Sequence, residues 1–300
     1  MEVTIVGAGV IGLTTALALE QRGYRVRILA AAKHDAITSW VAGAVWFPYR
    51  AGPATKVNAW SARTRTWLEE LAKQPHAGVD VLTGYEITDD LDPWWKDACP
   101  ITRTPAPVTH APGSWTFVAP RCEPAIFLPW LETQLTARVE IQTVTDLEQV
   151  PGDIVINCTG LGAKSLAGDA ELQPIQGQVL ITEPGSVDLS VTITDDRDPE
   201  QIFYVIPRRD SLVVGGIARA WPSTERPPVD DAITARIQQQ AKALGLGIGS
   251  IRKIVTGLRP FRPHVRLERV GRIIHNYGHG GAGFTMAWGC AKDVLDLISA

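Results

Sequence analysis

Gly7-x-Gly9-x-x-Gly12 constrains this chain more than any other feature, because of what flanks it. Val3-Thr4-Ile5-Val6 before it reads as an apolar strand, and the Ala- and Leu-rich run to about Gln21 reads as a helix. In that setting Gly7 allows a tight turn, Gly9 lets a diphosphate approach the backbone, and Gly12 permits close helix–strand packing. The helix start then offers unpaired N–H groups and a partial positive charge. Arg22-Gly23 closes the helix and Val26-Arg27-Ile28-Leu29 is a second strand, so the first thirty residues form a right-handed βαβ unit with parallel strands. The pattern asks for a dinucleotide and does not choose between a nicotinamide and a flavin. An acid some 20 positions on would normally hold the adenosine ribose. Here the second strand runs into Ala30-Ala31-Ala32-Lys33 and the first acid is Asp35. Either Asp35 serves from the loop, or backbone and water hold the ribose.

The 300 residues suggest about two domains. With 29 basic against 32 acidic residues, the chain lacks the basic excess of a nucleic-acid binder. No run approaches the roughly 20 apolar residues of a membrane span, and the N-terminus has no charged leader. Cys99, Cys122, Cys158 and Cys290 are scattered with no Cys-x-x-Cys pair, which excludes a zinc ribbon and suits a reducing cytoplasm. No metal site is expected. Helices are expected over 60–71, 127–137 and 229–244, a buried strand over 153–157, and β alternation over 177–217. Residues 75–129 read as short strands and loops. This is an α/β nucleotide domain with a largely antiparallel β domain inserted into it.

Two later segments favour a flavin. Asn157-Cys158-Thr159-Gly160 places small residues at the carboxyl end of a strand, where α/β sheets bind ligands. Asn276-Tyr277-Gly278-His279-Gly280-Gly281-Ala282-Gly283-Phe284-Thr285 is a second Gly-rich turn before a helix, able to stabilise negative charge on a reduced ring. Three such elements suit a long two-part cofactor better than NAD.

At this point the chain resembles the D-amino-acid oxidases and their D-aspartate oxidase relatives, over nearly its whole length. The likeness is carried by Gly257-Leu258-Arg259-Pro260-Phe261-Arg262-Pro263, Val265-Arg266-Leu267-Glu268, Ile274-His275-Asn276-Tyr277-Gly278-His279-Gly280-Gly281 and Trp288-Gly289-Cys290-Ala291. Ala42-Gly43-Ala44-Val45-Trp46-Phe47-Pro48-Tyr49, Gly84-Tyr85-Glu86, Pro199-Glu200 and Tyr204-Val205-Ile206-Pro207 continue it. The resemblance implies a Rossmann-like FAD-binding domain made of 1–60, 120–170 and 255–300. A substrate and interface domain of 61–119 and 171–254 would be inserted into it.

It also implies oxidative deamination of a D-amino acid: hydride passes from the α-carbon to FAD, O2 becomes H2O2, and a 2-oxo acid and ammonia are released. In this reading Arg262 clamps the α-carboxylate with its guanidinium fork. Tyr204 donates to the same carboxylate, and the Gly281 carbonyl receives the amine. No general base is needed, so His275 and His279 are structural or flavin-proximal. The cofactor contacts would be Gly7, Ala8, Gly9, Val10, Ile11, Gly12, Thr38, Ser39, Gly43, Ala44, Val45, Val144, Thr159, Gly160, Gly280, Gly281, Ala282, Gly283, Phe284 and Thr285.

Val45, Phe47, Ile193 and Ile206 fall where the family lines its side-chain pocket, an apolar wall that favours neutral substrates. Burying an unpaired substrate carboxylate there is costly. The family's D-aspartate branch carries an arginine shortly after Gly215-Gly216. Here that position is Ala218, and Arg219 next door points to the other face. The Asp198–Tyr204 segment is shorter than in the animal enzymes and lacks their lid tyrosine, which implies a more open entrance and faster product release. Leu297-Ile298-Ser299-Ala300 is not a peroxisomal address, in keeping with the cytoplasm. The expected partners are a D-amino acid and O2, with no nucleic acid or membrane, and a homodimer. The alternatives are an oxidase of D-aspartate, D-glutamate or glycine-type amines, and a flavin-binding protein without turnover.

Overall fold

A computed structural model describes residues 1–299. It opens with β1 (Glu2–Val6), α1 (Val10–Glu20) and β2 (Arg25–Ala30), then α2 (Ala54–Leu71), β3 (Val79–Ile87), β4 (Thr102–Thr104) and β5 (Ser114–Cys122). Next come α3 (Pro124–Thr133), β6 (Val139–Ile141), β7 (Ile154–Asn157) and the single turn α4 (Ala163–Leu166). Five strands follow: β8 (Gln173–Thr182), β9 (Val191–Asp195), β10 (Phe203–Pro207), β11 (Leu212–Gly215) and β12 (Arg219–Ala220). The chain closes with α5 (Asp231–Ala243), β13 (Ile251–Val270), β14 (Ile273–His279) and α6 (Gly283–Ser299).

By compactness the chain divides into two units, one of Met1–Asp80, Cys122–Gln173 and Arg259–Ala300, the other of Val81–Arg121 and Pro174–Leu258. In the first, the strand order is β13-β14-β7-β1-β2-β6. The pairs from β14 to β6 are all parallel, and β13 runs antiparallel to β14. Val6, Leu29, Leu147, Val150, Val155 and Ile273 form one core here. Helix α1 is apolar nearly all round and correspondingly buried from Leu13 to Leu19.

Residues 61–80 belong to this first unit, where the sequence reading placed 61–119 in the inserted domain. The reason is α2, whose tryptophan face packs on α6. The Trp60 indole N–H donates to Asp293 at 2.7 Å and the Gly289 N–H donates to Thr64 Oγ1 at 2.9 Å. Gly289 has to be glycine, since a Cβ there would run into the Trp60 backbone.

The second unit orders its strands β4-β5-β3-β9-β10-β11-β8, with β12 beside β8. Apart from the parallel β3–β9 pair, the β4–β5, β9–β10, β10–β11, β11–β8 and β12–β8 pairs are antiparallel. Residues 75–129 thus hold two nine-residue strands, β3 and β5, longer than their Pro- and Gly-rich sequence suggests. Helix α5 is capped by the Asp230 carboxylate, which accepts from the N–H groups of Ala232 and Ile233. Its Ile233, Ile237 and Ala241 pack on Phe203, Val205, Leu212 and Val214.

Candidate active site

The glycine-rich elements close on one another. Gly7 has φ +113°, and a Cβ there would strike the Cys158 carbonyl; one on Gly12 would strike the Gly7 carbonyl. The Gly7 N–H donates to Leu29 and the Cys158 N–H to Val6, which locks the turn to three adjacent strand ends. The Ser39 hydroxyl takes the Val10 N–H at 3.0 Å. It also lies where a Cβ on Gly9 would come within 3.0 Å. The other first-turn N–H groups of α1 have no acceptor inside the helix. A Cβ on Gly283 would be 3.6 Å from Val10 Cγ1, so the N-terminus of α6 lies beside that of α1. Gly160 (φ +57°) neighbours Pro260, whose carbonyl accepts from the Gly280 N–H at 2.8 Å.

Of the expected cofactor contacts, the structure thus gathers Gly7 to Gly12, Ser39, Thr159, Gly160 and the 280–283 turn. Thr285 is different. Its buried hydroxyl accepts from the Phe47 N–H at 3.1 Å and donates to the Phe47 carbonyl at 3.0 Å. That side chain is spent on holding Phe47 to α6. Val144 packs on the core under the ends of β1 and β2, and Thr38 is exposed. Ala44 has φ +60°, and its carbonyl accepts from Cys122, which fixes the Gly43–Val45 bend.

The two arginines of the Arg259–Pro263 segment part company. Residues three apart on a strand face opposite ways. The Arg262 guanidinium lies against Asp169, with Nε 3.0 Å from Oδ2, donates to the His264 carbonyl at 2.8 Å, and is paired with Glu171. That is a structural fork, already occupied, so the expected substrate clamp at Arg262 is corrected. Arg259 instead runs its stem past Gly281: a Cβ on Gly281 would sit 3.3 Å from Arg259 Cδ and 2.9 Å from the Tyr49 ring. Strand alternation carried this signal in the sequence. Asp169 and Glu171, more than 90 residues from Arg262, left none.

In the second unit, Tyr204 stands directly across from Gly215, and its ring fills the space that side chains at Gly215 and Gly216 would need. The register pairs Tyr204 with Thr194 and Val205 with Ile193. Ile206 therefore shares the face of Tyr204, while Ile193 shares that of Val205, which packs toward α5. Ile193 is not part of one wall with Ile206, and that expectation is corrected. Ala218 is buried, and exposed Arg219 donates to the Gln176 side chain at 3.0 Å.

A family described as FAD dependent oxidoreductase matches residues 2–297. The chain belongs to this family. A D-amino-acid oxidase of Streptomyces coelicolor is 39% identical over 315 residues, covering 99% of this chain and 97% of its own. One from Rubrobacter xylanophilus is 36% identical over 316 residues, covering 99% and 95%. Among solved structures, a glycine oxidase from Bacillus cereus shares the fold with a TM-score of 0.74 at 16% identity, covering 99% of this chain and 94% of that one.

The residues present in this FAD-dependent oxidoreductase fit the cofactor. Two adjoining helix N-termini face a turn stripped of side chains, which suits a diphosphate. His279 Nε2 and Asn276 Oδ1 are buried with no hydrogen-bond partner among the described residues. Burial pushes the His279 pKa down to about 3. His275 is lowered to about 4 by burial and then by the Arg266 charge. Both imidazoles are neutral at working pH. Among the described residues no helix is long and apolar enough to cross a membrane.

Proposed function

We propose that this oxidoreductase deaminates D-amino acids with neutral side chains, consuming O2 and releasing H2O2, a 2-oxo acid and ammonia. Bound FAD supplies the capacity to accept hydride from the α-carbon and to pass the electron pair to O2. The protein's part is orientation and electrostatics. Arg259 clamps the α-carboxylate with its fork, in place of Arg262. The Gly281 carbonyl beside it accepts from the substrate amine, and Tyr49 borders the same spot. Tyr204 is a second carboxylate donor, a role that rests on the family resemblance. Once the amine is neutral no base is needed, and two histidines with depressed pKa values are suited to staying out of proton transfer.

The observation that carries this reading is the pairing of Arg259 with Gly281 in a chain whose relatives bear the name D-amino-acid oxidase. The neutral preference is supported by Ala218, and by Arg219 being engaged with Gln176. A cytoplasmic location is supported by the four buried cysteines, none of them in a disulfide. A homodimer rests on the resemblance alone. The test is the visible spectrum of the FAD-loaded protein under anaerobic conditions. Bleaching by D-alanine but not L-alanine is expected. Bleaching only by D-aspartate or glycine would move the substrate class, and no bleaching by any D-amino acid would sink the reading.

A further inference from the structure

The segment that carries Arg259 is poorly held by its own strand ladder. Pro260 and Pro263 have no N–H to give. The β13–β14 register also breaks between Phe261, opposite His279, and Arg266, opposite Tyr277. Inside the break, the Val265 N–H turns away from β14 to the Gly52 carbonyl, at 2.7 Å.

What spans the break is a charge network centred on Asp169, in the loop after α4. Asp169 is only 7% exposed. Its Oδ2 accepts from the Tyr277 hydroxyl at 2.8 Å and from Arg262 Nε at 3.0 Å, with Arg266 Nη1 at 3.8 Å. Arg266 Nη1 in turn donates to the Tyr277 hydroxyl at 2.8 Å. One carboxylate thus gathers Arg262 inside the break and Arg266 at its far edge, and ties β13 to β14 through Tyr277. Gly278, at φ +87°, leaves room for the Arg262 stem to lie against β14. Burial alone would raise the Asp169 pKa, but the Tyr277 hydrogen bond and the Arg262 charge outweigh it and keep the group ionised. Burial pushes Tyr277 up to about 12, so it remains a donor.

We propose that Asp169 is a positioning residue for Arg259: by drawing Arg262 and Arg266 to one face of β13, it presents Arg259 on the other, beside Gly281. This rests on the reading of Arg259 as the carboxylate clamp. Asp169 meets no reacting group. Its effect is on where the guanidinium of Arg259 waits, hence on capture of the substrate carboxylate rather than on the chemical step.

The test is steady-state kinetics of the FAD-loaded enzyme with D-alanine, on D169N, R259K and the double variant. D169N is expected to raise KM about tenfold with kcat within about threefold, and D169E to recover most of it. The FAD spectrum and dissociation constant should match wild type. In the R259K background D169N should add less than about twofold, because coupled residues are not additive. An unchanged KM in D169N, or fully additive effects in the double variant, would overturn the proposal while leaving the clamp standing. A wild-type KM in R259K would fail the clamp itself and the proposal with it. Should D169N not fold, Y277F keeps every charge and is expected to raise KM about threefold; a wild-type KM there overturns the proposal.

Discussion

Arg259 and Arg262 lie three residues apart on one strand and serve opposite faces of it, one beside Gly281 and the other locked against Asp169. The contrast sets what each should do when removed. R259A is expected to lower kcat/KM for D-alanine by about a thousandfold. R262A should lower kcat/KM by no more than about tenfold but cost roughly 1–3 kcal/mol in a denaturant melt, because it leaves Asp169 with fewer partners. Equal activity losses in the two variants would contradict the assignment.

Gly12 is the tightest point of the cofactor turn. A methyl group there meets the Gly7 carbonyl, and backbone cannot yield as a flexible side chain would. G12A is expected to weaken FAD binding by at least about a hundredfold, read by titrating apoprotein and following flavin fluorescence. Wild-type affinity would mean the turn can relax without loss.

The Thr285 hydroxyl accepts from the Phe47 N–H and donates to the Phe47 carbonyl, both inside the fold. T285V keeps the shape and deletes both of these buried bonds. The expected loss is roughly 1–3 kcal/mol in thermal or denaturant unfolding. T285S should be close to wild type, which separates the hydroxyl from the methyl.

The second unit carries a pH-sensitive pair. Glu86 Oε2 and Asp196 Oδ1 are buried with no hydrogen-bond partner among the described residues. The two carboxyls interact and burial raises both, so one proton shared between them satisfies the pair. Burial, and then the charge of Asp196, raises Glu86 to about 9, while the Trp95 indole N–H supports its other oxygen at 3.3 Å. A carboxyl raised in the folded state stabilises fully below its unfolded pKa, near 4.5, and loses that contribution as pH rises through about 9. E86Q needs no proton to pair with Asp196. It should match wild type near pH 5 and exceed it by roughly 1–3 kcal/mol at pH 9, measured by urea unfolding. A pH-independent difference would exclude the shared proton.

Much of this was open to reading from residues. The Gly7–Gly12 turn needed only its flanking strand and helix, and the 276–285 turn its position before the last helix. The Arg259–Pro263 segment could be recognised, yet its chemistry could not be divided between two arginines without knowing that it is extended. Alternation along a strand then decides the matter. Ile193 was misplaced for a related reason: facing depends on register with β10, which spacing along one strand does not contain. Asp169 and the α2–α6 contact were out of reach because both join segments far apart in sequence, where no local periodicity records the partner.

The meeting of Val10 with Gly283 makes the cradle depend on the docking of two distant helices. The glycine turn before α1 and the start of α6 beside it come from segments more than 270 residues apart in the chain. Until α6 docks, a folding chain carries half a cradle, with the buried flank of α1 lacking its α6 cover. Tight flavin binding is therefore expected only once α6 has docked, and a variant truncated before Gly283 is expected to purify colourless.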